Sequence, residues 1–251
     1  MDETKTIVDR ERAFHNARFA QKVDPRHFLD KWYRTIQHGA EAQNQLVLRL
    51  SPGKDVLEYG CAGGELSVDH LELPSIARTL TGIDISDVAI AKAAASAKAA
   101  GYDNCTFLAM NAEAMAFPQG SFDVVFGRGI IHHLDLDRAY GEIVRVLRPG
   151  GTAAFYEPLG HNFVLNAYRN RTPDLRTPDE HPLLMRDFEL ARKYFSSVEV
   201  TYFGLASVAS AVFPNALREP VYRIGRAADA VLLRLPLIKK YAWYALMVMT
   251  K

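Results

Sequence analysis

Two carboxylates at strand ends, with a glycine turn after the first, give the chain its clearest chemical signal. Glu58 lies near the end of the apolar run that begins Val56-Leu57, and the chain then turns through Gly60-Cys61-Ala62-Gly63-Gly64. Farther on, the run Leu80-Thr81-Gly82-Ile83 ends in Asp84. Glycine has no Cβ, so such a turn lets a ligand lie against bare backbone N–H groups. A carboxylate at the end of the second strand is where nucleotide-binding α/β folds hydrogen-bond ribose hydroxyls. A dinucleotide fingerprint begun at Gly60 would need two further glycines where the chain has Ala62 and Glu65. No G-K-[ST] follows the turn, so a P-loop is excluded as well. Taken alone, the turn also fits an ordinary strand-to-helix connection.

A second group of residues could move protons. Histidine titrates near neutral pH, which makes His15, His132, His161 and His181 candidate bases. Glu157 closes a later strand, at the edge where open α/β sheets bind their substrates. Each has a structural reading too. His132 and His133 can cap the helix that follows, and His161 can tie down its loop through Glu180 or Glu157. The histidine count leaves a metal site open, but no H-x-x-x-H or C-x-x-C spacing supports one, and none is assigned.

The elements that must position these groups alternate. Strand-like runs occupy Val56–Tyr59, Leu80–Asp84, Thr106–Met110, Asp123–Phe126, Thr152–Glu157, Val198–Phe203 and Ala242–Met249. A helix capped by Ser86 is expected to reach Ala100, with Gly101 past its end. Another is expected over Leu136–Leu147, stopped by Arg148-Pro149-Gly150-Gly151. Such alternation predicts an α/β fold: a doubly wound, mostly parallel sheet of seven strands with helices on both faces.

Three segments fall outside the alternation. Residues 1–45 predict an N-terminal helical cap with Phe14, Phe19, Phe28, Trp32 and Tyr33, set before a main domain of 46–251. Residues 158–183 predict a long proline-containing loop, and 204–240 an insertion in which Val221, Ile224, Ala228, Val231 and Leu235 recur at helical spacing. Both are expected to act as lids on the substrate side; extra core or a dimer contact is the alternative for the insertion.

Read in order, five motifs resemble those of the class I S-adenosylmethionine (SAM)-dependent methyltransferases, over roughly residues 50–157. The turn Glu58-Tyr59-Gly60-Cys61-Ala62-Gly63-Gly64 is similar to their [DE]-x-G-C-G-x-G, with Ala62 in place of the middle glycine. Asn111-Ala112-Glu113 stands where the family has a D-A-E-like tripeptide that holds adenine, and Phe122-Asp123-Val124-Val125 follows it. Gly127-Arg128-Gly129-Ile130-Ile131-His132-His133-Leu134 resembles the segment after the fourth strand in small-molecule members, including the ubiquinone and menaquinone type. Leu147-Arg148-Pro149-Gly150-Gly151 matches the family's L-[RK]-P-G-G turn.

The resemblance implies SAM as cofactor, held by Glu58, Tyr59, Gly60, Cys61 and Gly64 after the first strand and by Asp84 and Ile85 after the second. It extends the site to Asn111, Ala112 and Glu113, and to the backbone around Gly127 and Arg128. It implies methyl transfer to an oxygen or carbon of a small molecule, with Glu157, His161 and His132 as candidate catalytic residues. His15, Tyr33, Tyr168 and His181 are the candidate substrate contacts. Use of SAM for cyclisation or alkyl transfer, and a non-catalytic SAM-binding module, remain as alternatives.

Composition narrows the partners. A net charge of +1 gives no global attraction to nucleic acid or to a membrane. The [DNS]-P-P-[YF] motif of enzymes that methylate base amines is replaced by Gly127-Arg128-Gly129-Ile130. No apolar stretch is long enough to span a bilayer, and the charged start lacks the apolar core of a signal peptide. With only Cys61 and Cys105, no disulfide framework is expected. A cytoplasmic enzyme is expected, with a homodimer possible.

Overall fold

A computed structural model describes residues 3–20, 30–172, 177 and 180–251. Phe28 and positions 173–176 and 178–179 of the expected loop lie outside them. Seven strands form one sheet: β1 Asp55–Tyr59, β2 Thr79–Asp84, β3 Cys105–Ala109, β4 Phe122–Arg128, β5 Leu147–Pro158, β6 Ser197–Phe203 and β7 Tyr244–Thr250. Their order is β3-β2-β1-β4-β5-β7-β6. The first five run parallel, and β7 inserts antiparallel between β5 and β6. The order reverses beside β1, so β1 and β4 diverge at a switch point where such sheets open a crevice.

The inner strands are buried on both faces, as their continuous apolar runs require. Val56, Leu57, Tyr59, Val125 and Phe126 are inaccessible to solvent. Helix α3 (Gln37–Leu50) and helix α4 (Asp87–Ala99) belong to the flanking layers, as does α5 (Leu136–Val146). Ser86 caps α4 by accepting from Ala89 N, and Ala89, Ala93 and Ala97 make a buried stripe one turn apart. Asp135 caps α5 by accepting from Asp137 N and Arg138 N. The buried face of α5 is Leu136, Ala139, Tyr140, Ile143 and Val146.

Helix α1 (Glu3–Ala20) and the short α2 (Asp30–Tyr33) precede α3, which itself runs across the expected domain boundary at residue 45. Two further expectations are revised. The 158–183 segment is not loop throughout: Asn162 caps a helix α6 (Phe163–Asn170) by accepting from Val164 N and Leu165 N. After α7 (Met185–Ala191), the insertion folds as α8 (Asn215–Leu232), but its apolar repeat is not its buried face: Ile224 is 71% and Val231 66% exposed, while Val221 and Ala228 are half-buried. The inner face of α8 is Gly225 and Asp229 instead. The Asp229 carboxylate accepts from Ala206 N and Ser207 Oγ, each at 2.6 Å. A Cβ on Gly225 would come within 2.6 Å of Ser207 Cα, so the close approach demands glycine.

Candidate active site

The turn after β1 is wired to the end of β2. Gly60 N and Cys61 N both donate to Ile83 O at 2.9 Å. Ala62 stands in the left-handed region, φ +47°, and its N–H donates to Asp84 Oδ2 at 3.0 Å. Asp84 Oδ1 accepts from Ser86 N at 2.9 Å. A carboxylate offers about four acceptor directions, so backbone bonds leave roughly two for a ligand. Burial raises the Asp84 pKa, an effect its backbone donors and the nearby His15 counter.

Gly60, φ +75°, has a reason beyond ligand approach. A Cβ there would lie 2.7 Å from the Ile130 side chain, and one on Gly127 would lie 2.5 Å from Tyr59 O. The turns after β1 and β4 therefore interlock, and the glycines serve that contact. After β3, Asn111 Oδ1 accepts from Glu113 N at 2.9 Å, which uses one of its lone pairs locally. Tyr59 Oη donates to Ala112 O at 2.6 Å and fixes the same segment from below.

Gly60, Asp84, Ile85, Asn111, Ala112 and Glu113 line a cavity of about 1310 Å³. The same cavity is lined by His15, Tyr33, His132, His133, Tyr168, Trp243 and Tyr244. Helix α1 is tied to the segment after β2 and to α4. Asn16 Oδ1 accepts from Ser86 Oγ at 2.6 Å, Arg12 Nε donates to Ile85 O at 3.4 Å, and Lys92 Nζ donates to Phe19 O. Tyr33 stacks on Trp243 at 5.5 Å.

Glu157 holds the loop after β4. Its Oε1 accepts from Ile130 N at 2.9 Å and from Ile131 N at 3.2 Å, and its Oε2 lies 2.7 Å from His132 Nδ1. Burial pushes the Glu157 carboxyl up to about 8 and His132 down to about 3. His132 is thus neutral at physiological pH, with Nε2 3.8 Å from Glu180. Glu58 is buried with Oε2 unpartnered, and burial pushes its carboxyl up to about 8 as well.

Residues 56–151 match the family described as methyltransferase domain. Over that segment the chain is similar to the class I SAM-dependent methyltransferases. Sterol 24-C-methyltransferase erg6 of Aspergillus fumigatus is 29% identical over 204 residues, 80% of this chain and 48% of that protein. Demethylmenaquinone methyltransferase of Lactococcus lactis is 35% identical over 106 residues, 42% of each. The chain spans less than half the length of the curated relatives named here. Phosphoethanolamine N-methyltransferase 2 of Haemonchus contortus, solved with phosphomonomethylethanolamine and S-adenosylhomocysteine, superposes with a TM-score of 0.61 at 19% identity. That match covers 85% of this chain and 53% of the solved one, and it shows the shared fold.

The sheet edge gathers most of the residues singled out by sequence, but not all. Among the expected cofactor contacts, Glu58, Tyr59, Cys61, Gly64 and Gly127 stand behind the cavity wall. Arg128 reaches the cavity, yet its guanidinium is spent on α3: Nε donates to Gln43 Oε1 at 2.9 Å and Nη2 to Ala40 O at 3.1 Å. Of the catalytic candidates only His132 lines the cavity. Glu157 is fully buried beneath it. His161 Nε2 accepts from Met185 N at 3.0 Å, which makes it a brace between the loop and α7. His181 is held by its backbone N–H to His132 O at 2.8 Å and does not line the cavity. Glu11 and His133 also line the cavity; sequence reading gave Glu11 no role and His133 only that of a cap. The i, i+4 spacing of Glu11 and His15 was the available signal for the first.

Proposed function

We propose that this chain binds SAM and transfers its methyl group to an oxygen or carbon of a small, partly apolar acceptor. One observation carries the reading: a single cavity is lined both by Asp84 and Asn111, which suit a nucleoside, and by aromatic and histidine side chains. Small-ligand pockets run roughly 300–1,000 Å³, so about 1310 Å³ leaves room for a nucleoside cofactor and a second molecule. Bound SAM supplies a methyl group activated by its sulfonium. The Asp84 carboxylate would accept from the ribose hydroxyls, and Asn111 and Ala112 would meet the adenine edge. The backbone at Gly129 and Ile130, set by Glu157, would wall the methionine end. His132 is too weak a base at physiological pH to take a proton efficiently, so orientation of the acceptor is the main contribution of the chain.

The likeness to a sterol and a quinone methyltransferase supports an apolar acceptor, and the near-neutral charge supports a small molecule over nucleic acid. Helix α1, helix α6 and the insertion around α8 are assigned as lids. The exposed Ile224 and Val231 of α8 support a homodimer, which light scattering of the parent and of Ile224→Glu would test. No helix among the described residues is long and apolar enough to cross a membrane. The unpaired Cys61 and Cys105 support a reducing compartment such as the cytoplasm.

Calorimetry with SAM and its demethylated product tests the cofactor half. Asp84→Ala should weaken binding by one to two decades, the equivalent of about 1.5–3 kcal/mol for a charged acceptor. Equal affinity in parent and variant would remove Asp84 from the site. Mass spectrometry of apolar hydroxylated or olefinic acceptors incubated with SAM then reads the product; a mass gain other than one methyl group would overturn the transfer.

A further inference from the structure

Where α1 crosses the cavity, Glu11 and His15, one turn apart, meet His133, which is distant in sequence. Glu11 Oε2 lies 3.4 Å from His15 Nε2 and 3.6 Å from His133 Nδ1. One ligand atom from each of Glu11, His15 and His133 falls within 4.8 Å of the others. Two polar atoms of this group, Glu11 Oε1 and His133 Nδ1, are buried without a hydrogen-bond partner. Glu11 itself is only 8% exposed. A buried oxygen and nitrogen without partners are costly, so a bound group that used them would be stabilised. The Thr177 hydroxyl, also buried and unpartnered, lies beside the same carboxylate.

We propose that Glu11, His15 and His133 bind a divalent first-row transition-metal ion. Two imidazoles and one carboxylate are a donor set used for zinc with an open position, and for iron(II). Tetrahedral bonds of about 2.0–2.1 Å place ligand atoms roughly 3.3 Å apart, close to the two separations seen. Nitrogen-rich donors select against magnesium and calcium. A second group, His132, His133 and Glu180, shares His133. There Arg169 forms an ion pair with Glu180, and a neighbouring guanidinium opposes a cation, so the ion belongs with Glu11 and His15.

The placement gives the ion two tasks. Glu11 and His15 stand one turn apart on α1, while His133 belongs to the segment after β4. Coordination would therefore clamp the cap onto the sheet edge. All three residues line the cavity, so the remaining coordination positions open toward it. There they would take an oxygen donor of the acceptor; this second task rests on the methyl-transfer reading, whereas metal binding does not.

The test uses tag-free protein, since a histidine tag would bind the same ions. Cobalt(II) titrated into the metal-free chain, with no SAM present, should give visible ligand-field bands that saturate at one equivalent and vanish when zinc is added. His133→Ala and His15→Ala should each weaken binding by at least about tenfold, the loss expected when a metal site is damaged. His70→Ala, outside the cluster, should bind as the parent does. Glu11→Gln keeps shape and removes charge; if an alanine variant fails to fold, it carries the comparison. Absence of a saturable site, or affinity unchanged in His133→Ala or Glu11→Gln, would overturn the proposal and leave the cluster an acid–base network. SAM affinity measured separately on metal-free protein keeps the two readings apart: either can fail while the other stands.

Discussion

Ala62 holds a left-handed backbone, φ +47°, at the position where the related motif has glycine. An L-residue there costs roughly 1–2 kcal/mol. Glycine would relieve that cost and return about 0.4–1 kcal/mol through its freer unfolded state. Ala62→Gly should therefore raise the melting temperature, by about 1–4 °C for a chain of this size. Scanning calorimetry checks it; an unchanged or lower midpoint would mean that the bond to Asp84 already absorbs the strain. His161 illustrates the opposite case, a residue whose chemistry the fold puts to other use. Because its ring braces Met185 N, His161→Ala should lower turnover by less than about tenfold, well short of the roughly 10²–10⁴ of a positioned base. A larger loss with unchanged SAM affinity would return His161 to the chemical step.

Helix α4 and the cap α1 meet at one hydroxyl. Ser86 Oγ accepts from Ala89 N inside its own helix and donates to Asn16 on α1. Ser86→Ala removes both, and a loss of about 1–2 kcal/mol is expected from denaturant titration, a cap alone accounting for about 1. A loss no larger than that of Asn16→Ala would show that the cap contributes little. The α4 cap was legible in the sequence, because Ser86 precedes an alanine-rich run and Gly101 follows it. The buried face of α8 was not. Apolar periodicity reports a face, and the choice of which face is buried fell to Gly225 and Asp229, through packing against residues distant in sequence. The same holds for Glu157. Its place at a strand end suggested an acceptor-side acid, but a strand-end carboxylate can turn either to the cavity or to the adjacent loop. Only the three-dimensional positions of Ile130 N and Ile131 N decide.

Across the whole molecule, the fold was the most legible level, since seven apolar runs alternating with helical periodicity allow few topologies. The site was half legible: strand-end motifs act locally, whereas Glu11 and His133 meet through tertiary packing. Buried charge also sets how the molecule responds to pH. Glu58 and Glu157, both held near 8 by burial, favour the folded state in their protonated form. That contribution is fully present below the ordinary carboxylate pKa and is lost as pH rises through about 8. His132, lowered to about 3, works the other way, but its contribution is complete once pH exceeds the ordinary histidine value. Between about pH 6.5 and 8 only the carboxylates act, and each should cost on the order of 1–2 kcal/mol of stability. Urea midpoints should fall over that interval, and fall less in Glu58→Gln. A flat profile in the parent would mean that both carboxylates are already ionised.

The position of β7 has a consequence for how the chain is made. The last of the seven strands lies between β5 and β6, and β7 is the strand that β6 pairs with in the sheet. During synthesis from the N-terminus, β1 to β5 can assemble as soon as they leave the ribosome. Strand β6 then waits, with nothing to pair with, until Tyr244–Thr250 emerge. For that interval the edge of β5 that β7 will cover stays open, a pairing surface that another nascent chain could take. The parallel core of the domain can fold as it is translated, while its antiparallel corner is completed only after translation has passed residue 250.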